Sequence, residues 1–210
     1  MSNEKRVNLF DQWAKTYDQS VHSANEFPFD GYERLLDRIV DLSGHQSGMK
    51  VLDLGTGTGN LAERFVPMKA SIWGLDFSND MLVKAREKMP GAHFAQVDLF
   101  GAWPDEFEQK FDRIVSSYVF HEFELAEKID LIQRLAKNNI VPGGYFILGD
   151  ISFPTKASEQ KARELIGNQW DEDEYYWVAE EDIRACEEKG FEVKYEQISS
   201  CGGIFIIKPG

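Results

Sequence analysis

Glycines and carboxylates in the first half of the chain have the types and spacing that hold a nucleotide. Gly55, Gly57 and Gly59 follow directly on the apolar residues of 51–54, and Asp76 ends a second apolar run about 20 residues further on. Glycine lets the backbone turn sharply and approach a ligand closely. A carboxylate accepts hydrogen bonds from both hydroxyls of a ribose, and its charge strengthens each of them. The sequence therefore predicts a nucleotide-binding loop with Asp76 as the ribose ligand.

Short apolar runs that alternate with amphipathic stretches must position these residues. Strands that alternate with helices imply a parallel sheet with right-handed crossovers and helices on both faces. The acids that end successive strands then lie at one edge of that sheet, where ligands bind in open α/β folds. The runs that predict strands are 51–54, 71–76, 93–97, 111–116 and 145–148.

The C-terminal end departs from simple alternation. Segments 191–197 and 204–207 predict two strands joined by a short stretch of serine and glycine, which is typical of a hairpin. Upstream, a helix is expected to begin at Asn60, and the turn residues of 142–144 are expected to provide the stop before the fifth strand. With 210 residues and 42% hydrophobic content, the chain suits one domain.

The glycine loop and its strand resemble the nucleotide-binding loop of the class I S-adenosylmethionine (SAM) dependent methyltransferases, small-molecule type. The resemblance covers roughly residues 45 to 208 and is most specific from Val51 to Asp98. It implies an α/β, Rossmann-like fold with a seven-stranded, mostly parallel sheet of order 3-2-1-4-5-7-6, an antiparallel last strand and helices on both faces. Within a single domain, residues 1–210, we expect an N-terminal helical cap (1–44), a SAM-binding core (45–150), a substrate lid insert (151–177), and a C-terminal helix with the β-hairpin (178–210).

The same resemblance assigns the cofactor site. The glycine loop would close over the amino-acid end of SAM, Asp98 would accept a hydrogen bond from the adenine amino group, and the Leu99 backbone would meet the ring edge. Asp98 is also explained as the first residue of a turn. Phe77 and Met81 offer apolar surface to the adenine, although either can instead be a core residue. The expected cofactor-binding residues are Trp13, Tyr17, Asp53, Gly55, Thr56, Gly57, Gly59, Asp76, Phe77, Met81, Asp98, Leu99 and Ser117.

The loop after the fourth strand is expected to lie beside the methionyl part of SAM and to open toward the substrate. Ser117 and His121 are therefore site candidates. SAM brings its own electrophile, so the protein mainly has to hold the acceptor in line, and a general base is optional. If a base is used, His121 is the candidate, because the ordinary pKa of imidazole, about 6.5, suits proton removal near neutral pH. A structural role explains a lone histidine at a helix start as well, and Glu122 and Tyr118 are weaker candidates.

Two segments outside the core are candidates for the walls of the substrate pocket. Phe10, Trp13 and Tyr17 have helical spacing, and similar segments precede the core in many small-molecule methyltransferases. Trp13 and Tyr17 either press on SAM or pack against the sheet. Residues 170–177 contain four acids flanked by aromatic residues. This stretch either surrounds a cationic substrate, by charge and cation–π contact, or forms a solvated acidic loop.

The charge of the chain limits its partners. A formal net charge of −13 opposes binding to a phosphate backbone. Methyltransferases that modify nucleic-acid bases usually carry an Asn-Pro-Pro-Tyr type segment after the fourth strand, and this chain has Ser117-Tyr-Val-Phe there. No apolar run reaches membrane-spanning length, and the polar N-terminus lacks a signal peptide's apolar stretch. Cys186 and Cys201 form neither a zinc pattern nor a disulfide framework. We expect a cytosolic monomer or homodimer that acts on a small-molecule acceptor, with no metal and no nucleic-acid or membrane partner.

Two other functions stay open from the sequence. A nucleotide-dependent oxidoreductase is disfavoured because its fingerprint needs a third glycine where this chain has Asn60, and because its half-domain does not predict the C-terminal hairpin. A protein that binds SAM or S-adenosylhomocysteine (SAH) without transferase activity has the same cofactor residues. The sequence does not separate that protein from an enzyme.

Overall fold

The computed structural model of the chain describes residues 17–22, 26–44 and 46–210. The strands are β1 (Lys50–Leu54), β2 (Ser71–Asp76), β3 (His93–Gln96), β4 (Phe111–Ser117), β5 (Ile140–Phe153), β6 (Trp177–Val178), β7 (Phe191–Gln197) and β8 (Gly202–Pro209). The α-helices are α1 (Tyr17–His22), α2 (Tyr32–Leu42), α3 (Asn79–Lys88), α4 (Leu125–Asn138), α5 (Lys156–Ile166) and α6 (Ala179–Glu187). Over these described ranges, no helix has the length and apolar character needed to cross a membrane.

The strands form one sheet in the order β3-β2-β1-β4-β5-β8-β7. The pairs from β3 to β5 are parallel, and β8 runs antiparallel to both β5 and β7. This is the predicted order, so the Rossmann-like fold is confirmed. The prediction of seven strands omits the two-residue strand β6, which pairs with the end of β5 outside the main path.

Apolar side chains from alternate strand positions form a core on each face of the sheet. On one face, Leu52 of β1 lies in a cluster with Ile132 of α4. On the other face, Val51 of β1 lies in a cluster with Leu36 of α2. Successive strand residues point to opposite faces, so full burial of both Val51 and Leu52 requires helices on both sides. The prediction of helices on both faces is confirmed.

A 3-10 helix, Ala62–Met68, follows the glycine loop, where the sequence predicts a helix that begins at Asn60. The helix begins two residues later than predicted and has 3-10 geometry. Pro67 lies inside this segment, and a proline has no N–H to donate to an α-helical ladder. The side chain of Asn60 donates hydrogen bonds to Asp18 and to Tyr32, so this residue joins the loop to the N-terminal helices.

The fifth strand is longer than predicted and begins at Ile140. The turn residues of 142–144 therefore lie inside β5, and the prediction that they precede it is wrong. They are accommodated by a shift in the pairing of β4 with β5 between Phe111 and Arg113. At its other end β5 continues to Phe153, which carries Asp150 past the end of β4.

The segment predicted as a lid, 151–177, begins inside β5 and ends in β6. It contains α5, the 3-10 helix Gly167–Gln169 and the acidic aromatic stretch 170–177. Ser152 of β5 lies opposite Trp177 of β6 in a parallel pair. The segment therefore leaves the sheet and rejoins it at the same place.

Candidate active site

The glycine loop lies between β1 and the 3-10 helix at the carboxyl end of the sheet. Gly55 has a φ of 65°, and a Cβ at this position would lie 2.3 Å from Cγ2 of Val119. The loop after β4 therefore packs directly on Gly55. Gly57 has a φ of 54°, and a Cβ there would meet nothing within 4 Å. Gly59 packs against Ala85 of α3. The loop thus leaves open space next to Gly57.

Asp53, near the end of β1, has a buried carboxylate next to this loop. It is 1% exposed, and its Oδ2 accepts a hydrogen bond of 2.7 Å from the hydroxyl of Thr56. Its Oδ1 is buried and has no hydrogen-bond partner among the described residues. Burial, with a smaller effect of the Asp76 charge, raises the pKa of Asp53 to about 7. A buried carboxylate oxygen without a donor is matched by the ammonium group of a ligand.

Asp76 joins the end of β2 to the glycine loop. One carboxylate oxygen accepts a hydrogen bond of 2.8 Å from the N–H of Gly57, and the other accepts one of 2.8 Å from the N–H of Ser78. The Ser78 hydroxyl accepts a hydrogen bond from the N–H of Met81 and caps α3. Asp76 is therefore not the cap of this helix. Its bonds fix the position of the loop relative to β2.

Helix α1 is tied to the glycine loop by the side chain of Asp18. This carboxylate accepts hydrogen bonds of 2.6 Å from Thr58 and 3.1 Å from Asn60, and it forms an ion pair of 3.0 Å with Lys88. Burial opposes ionisation of Asp18, but the bonds from Thr58 and Lys88 outweigh it and lower the pKa. Helix α1 is thereby held against the loop.

Tyr17 lies next to Asp18, in the first turn of α1. Its ring meets that of Phe29 edge to face, with centroids 6.4 Å apart, and its hydroxyl bonds to that of Tyr32. Burial raises the pKa of Tyr17 well above its ordinary value. Trp13, the other aromatic residue predicted to cover the cofactor, lies outside the described residues.

His121 lies in the 3-10 helix Phe120–Glu122 after β4, beside the end of β5. Its Nδ1 donates a hydrogen bond of 2.6 Å to Oδ1 of Asp150, and its backbone N–H donates one of 3.0 Å to Oδ2. Its Nε2 lies 3.8 Å from Oε1 of Glu174, in the acidic aromatic stretch. Burial disfavours the imidazolium, but the Asp150 carboxylate outweighs burial and, with Glu174, raises the pKa of His121 to about 9. The arrangement holds a proton at a histidine between two carboxylates.

The acidic aromatic stretch is anchored beside His121 by two backbone contacts. The N–H of Tyr175 donates to the carbonyl oxygen of His121 at 2.6 Å, and Nζ of Lys128 donates to the carbonyl oxygen of Tyr175 at 2.5 Å. Lys128 is buried and lies 4.3 Å from the ring centroid of Trp177. Burial lowers its pKa to about 8. The position of Glu174 is therefore fixed by its neighbours in sequence.

Residues 45–183 match the model of a family described as a methyltransferase domain. This chain belongs to the class I SAM-dependent methyltransferases. An uncharacterized methyltransferase of Oceanobacillus iheyensis is 30% identical to it over 203 residues, which cover 92% of each chain. The family match decides against the alternative of a nucleotide-dependent oxidoreductase.

Solved structures share the fold of this methyltransferase. Magnesium protoporphyrin IX methyltransferase of Synechocystis PCC 6803, with bound SAH, is 19% identical and has a TM-score of 0.76, with 100% of both chains covered. DhpI, in its complex with SAM and HEP, is 18% identical and has a TM-score of 0.75, also with 100% of both chains covered. At these identities the likeness concerns the fold alone.

The residues predicted to meet the adenine ring of this methyltransferase's cofactor lie after β2 and β3. Oδ1 of Asp98 accepts a hydrogen bond of 2.9 Å from the N–H of Phe100, so Asp98 forms the turn that was its alternative explanation. Leu99 is 7% exposed. Met81 is 2% exposed, which favours a core role for its side chain, whereas Phe77 is half-buried.

The loop after β4 contains a strained residue that the sequence does not reveal. Ser117 is half-buried at the end of β4, opposite Gly149. Tyr118 follows with a φ of 56°, which is uncommon outside glycine, and its buried hydroxyl has no hydrogen-bond partner in the described part of the chain. Its ring packs on that of Phe29, with centroids 5.3 Å apart. Such strain at a loop beside a site is consistent with function.

The structure assembles contacts that the sequence analysis missed. Asp18 and Thr58 are polar residues of separate segments, and no spacing relates them. The sequence analysis does not include Asp150, although it comes two residues after the apolar run of the fifth strand, a position similar to that of Asp76 at the end of its own run. Glu174 was considered only as part of an acidic run, and its approach to His121 depends on the packing of the whole insert.

Proposed function

We propose that this methyltransferase transfers the methyl group of SAM to a small-molecule acceptor bound beside His121. The observation that carries the proposal is the His121–Asp150 pair at the carboxyl ends of β4 and β5, one loop away from the glycine loop. Val119 lies two residues before His121 and packs on Gly55. The loop that carries His121 is therefore in contact with the glycine loop. Two buried free cysteines, Cys186 and Cys201, suit a reducing compartment such as the cytosol.

The residues present fit SAM at the glycine loop. The unpartnered Oδ1 of Asp53 would accept from the ammonium group of the methionyl part, and the open space at Gly57 would receive the same part of the molecule. Asp76, at the end of β2, would meet the ribose with the carboxylate that the N–H groups of Gly57 and Ser78 hold in place. When bound, SAM supplies an electrophilic methyl group.

The remaining work of the protein is to orient the acceptor and to remove its proton. Asp150 holds Nδ1 of His121, so Nε2 faces the acceptor side, where Glu174 also lies. Neutral Nε2 takes a proton from the acceptor, and the resulting imidazolium is stabilised by both carboxylates. Because the pKa of His121 is raised to about 9, the basic form is the minority at neutral pH and grows as the pH rises.

A small-molecule acceptor fits the charge of the site better than a polyanion does. The chain carries a net charge of −13, and Glu174 adds a carboxylate directly beside His121. A nucleic-acid phosphate would be repelled there.

The test is SAH production from SAM with panels of amines, alcohols and phenols, carboxylates and thiols. Turnover on one panel is expected, and His121→Asn should reduce kcat by at least about a hundredfold, within the usual range for a general base. A loss of only a few-fold would make His121 a wall of the pocket. Tight SAH binding with no turnover on any panel would favour the alternative, a SAM/SAH-binding protein without transferase activity.

A further inference from the structure

A cavity of about 690 Å³ lies between α5 and the acidic aromatic stretch 170–177. Glu174 lines this cavity and also lies 3.8 Å from Nε2 of His121, so one carboxylate joins the cavity wall to the side chain that handles the acceptor's proton. The volume of the cavity suits a small organic molecule. We propose that it binds a cationic, amine-bearing methyl acceptor against the aromatic wall formed by Trp170 and Tyr176, with its charge at the carboxylate of Glu174; this inference rests on the proposed function.

Two aromatic rings form a corner in the wall of the cavity. The rings of Trp170 and Tyr176 are 4.6 Å apart at their centroids and stand at 84° to each other. Phe27 stacks on Trp170 at 6.0 Å, and Phe153 stacks on it at 5.8 Å, so the indole is held in place. Only the part of each ring that lines the cavity is open to a ligand, and an aromatic surface attracts an alkylammonium group.

The charges around the cavity favour a cation. Its basic side chains, Lys156 and Arg163, are already paired with Glu159 and Glu172. Glu174 has no basic partner in the described part of the chain except His121, which is shared with Asp150. Glu174 is thus a carboxylate available to a ligand's ammonium group, and of the acids in the cavity wall it is the one in contact with His121.

Tyr176 provides a second polar contact at the same corner. The residue is 7% exposed, and its hydroxyl lies close enough to Glu174 for that carboxylate to raise the pKa of the phenol. With Glu174 or any other described residue it makes no hydrogen bond of acceptable geometry. A buried hydroxyl without a good partner is unfavourable until a ligand supplies one. An amine N–H placed between Tyr176 and Glu174 would satisfy both side chains.

Methyl transfer to such an acceptor accounts for every proton and electron pair with the groups present. An ammonium group first gives a proton to neutral Nε2 of His121, which frees the nitrogen lone pair. That lone pair then forms the bond to the methyl carbon while the methyl–sulfur bond breaks with its electrons going to sulfur. The positive charge passes from sulfur to nitrogen, so the methylated product remains a cation opposite Glu174. His121 returns its proton to solvent.

The test compares two probes of the same shape in the presence of saturating SAH. Choline carries a quaternary ammonium group that cannot accept a methyl group, and 3,3-dimethylbutan-1-ol is its neutral carbon counterpart. Titration is followed by calorimetry and by tryptophan fluorescence. We expect choline to bind at least about tenfold more tightly than the alcohol, with quenching that is lost in Trp170→Leu. Equal affinity for the two probes, or no saturable binding of choline, would overturn the inference.

Matched variants separate this site from the overall negative charge. Glu174→Gln should abolish the preference for choline, whereas Glu187→Gln, which removes an exposed carboxylate from α6, should leave it unchanged. An equal loss in both variants would assign the preference to net charge and refute a built site. SAH affinity measured in the same samples tests the cofactor half of the proposed function separately, because a folded protein that binds SAH but not choline contradicts only the cation site.

Discussion

The carboxylate of Asp18 accepts a hydrogen bond of 2.6 Å from the hydroxyl of Thr58, and this contact joins helix α1 to the glycine loop. Asn60 and Lys88 converge on the same carboxylate. Asp18 follows Tyr17, whose ring is packed against Phe29. The glycine loop is therefore held in place by a residue of α1, which lies outside the sheet.

Replacement of Asp18 by Ala should weaken SAM binding. Thr58, Asn60 and Lys88 would lose their shared acceptor, and we expect a fall in affinity of about tenfold, or about 1.4 kcal/mol. Isothermal titration measures it, with Asp130→Ala on the exposed side of α4 as the control. Since the pKa of Asp18 is lowered in the folded protein, its contribution to stability is present above the unfolded pKa and is lost as the pH falls through the lowered value. Unchanged affinity in Asp18→Ala would show that α1 does not support the loop.

Replacement of Asp53 by Asn should affect stability and cofactor binding in opposite directions. The folded protein raises the pKa of Asp53 to about 7, so the apoprotein loses stability as the pH rises from the unfolded value through 7. Asn keeps an acceptor for Thr56 and removes the buried charge. At pH 8 we expect the free energy of unfolding to increase by about 1–3 kcal/mol, while SAM binding weakens at least about tenfold. Denaturant unfolding and calorimetry on one preparation measure both quantities. A lower free energy of unfolding in Asp53→Asn than in the wild type at pH 8 would contradict a destabilising buried charge at Asp53.

The pKa of His121 should reveal the effect of the two neighbouring carboxylates, Asp150 and Glu174. Imidazole NMR signals are expected to change with a midpoint near the pKa of about 9, and Glu174→Gln should lower that midpoint. Because the folded pKa is raised, the stability that His121 contributes is present below its unfolded pKa and is lost as the pH rises through about 9. With an acceptor, kcat/KM should rise with pH over the same range. A midpoint near 6.5 would rule out the paired state.

Lys128 is a positioning residue for the acidic aromatic stretch. Lys128→Met keeps the apolar stem but removes the donor to the carbonyl oxygen of Tyr175. We expect amide hydrogen exchange in residues 170–177 to become faster by about tenfold or more, since each 1.4 kcal/mol of lost local stability gives that factor. SAH affinity should stay within about twofold. Lys137→Met on an exposed part of α4 is the matched control. Unaltered amide hydrogen exchange of residues 170–177 in Lys128→Met would show that Lys128 does not position this stretch.

Gly55 and Gly143 allow the close packing of the glycine loop to be separated from backbone strain. Both have positive φ, 65° and 80°, but a Cβ would clash with Val119 only at Gly55. Gly143→Ala should therefore cost about 1 kcal/mol of stability from strain alone. Gly55→Ala should cost about 1–3 kcal/mol more, because the neighbouring side chain must move. Thermal unfolding measures both, and Val119→Ala should partly rescue Gly55→Ala. An equal loss of stability in Gly55→Ala and Gly143→Ala would show that the Val119 side chain can move without an energetic penalty.

The sequence predicts the sheet because its strands carry a strong local pattern. The bounds predicted for β2 and β7 agree with the structure, since Ser71–Asp76 and Phe191–Gln197 are apolar or alternating runs between turn residues. The predicted bounds differ from the structure where a local pattern is compatible with two conformations. Pro67 disfavours an α-helix after the glycine loop, and the chain forms a 3-10 helix there. The proline and glycines of 142–144 are compatible with either a strand end or a bulge, and they lie inside β5.

The candidate site was less accessible to sequence analysis because its contacts cross the fold. The bond between Asp18 and Thr58 and the approach of Glu174 to His121 join segments that only the packed structure brings together. Polar side chains carry no periodicity that would reveal such pairs. The roles proposed for Asp53 and Asp76 rest on a strand-end rule, and the structure adds which of their oxygens are already engaged.

The pairing of β6 with β5 has a consequence for how this protein can diversify. Ser152 lies opposite Trp177, so residues 154–176 enter and leave the sheet side by side. A segment whose two ends meet can be exchanged for one of different length or composition without altering the scaffold beneath it. On the proposed function, this segment supplies the acceptor contacts and the glycine loop supplies those to SAM. Transplanting the cassette 154–176 between related methyltransferases is therefore a route to new acceptors with an inherited cofactor site.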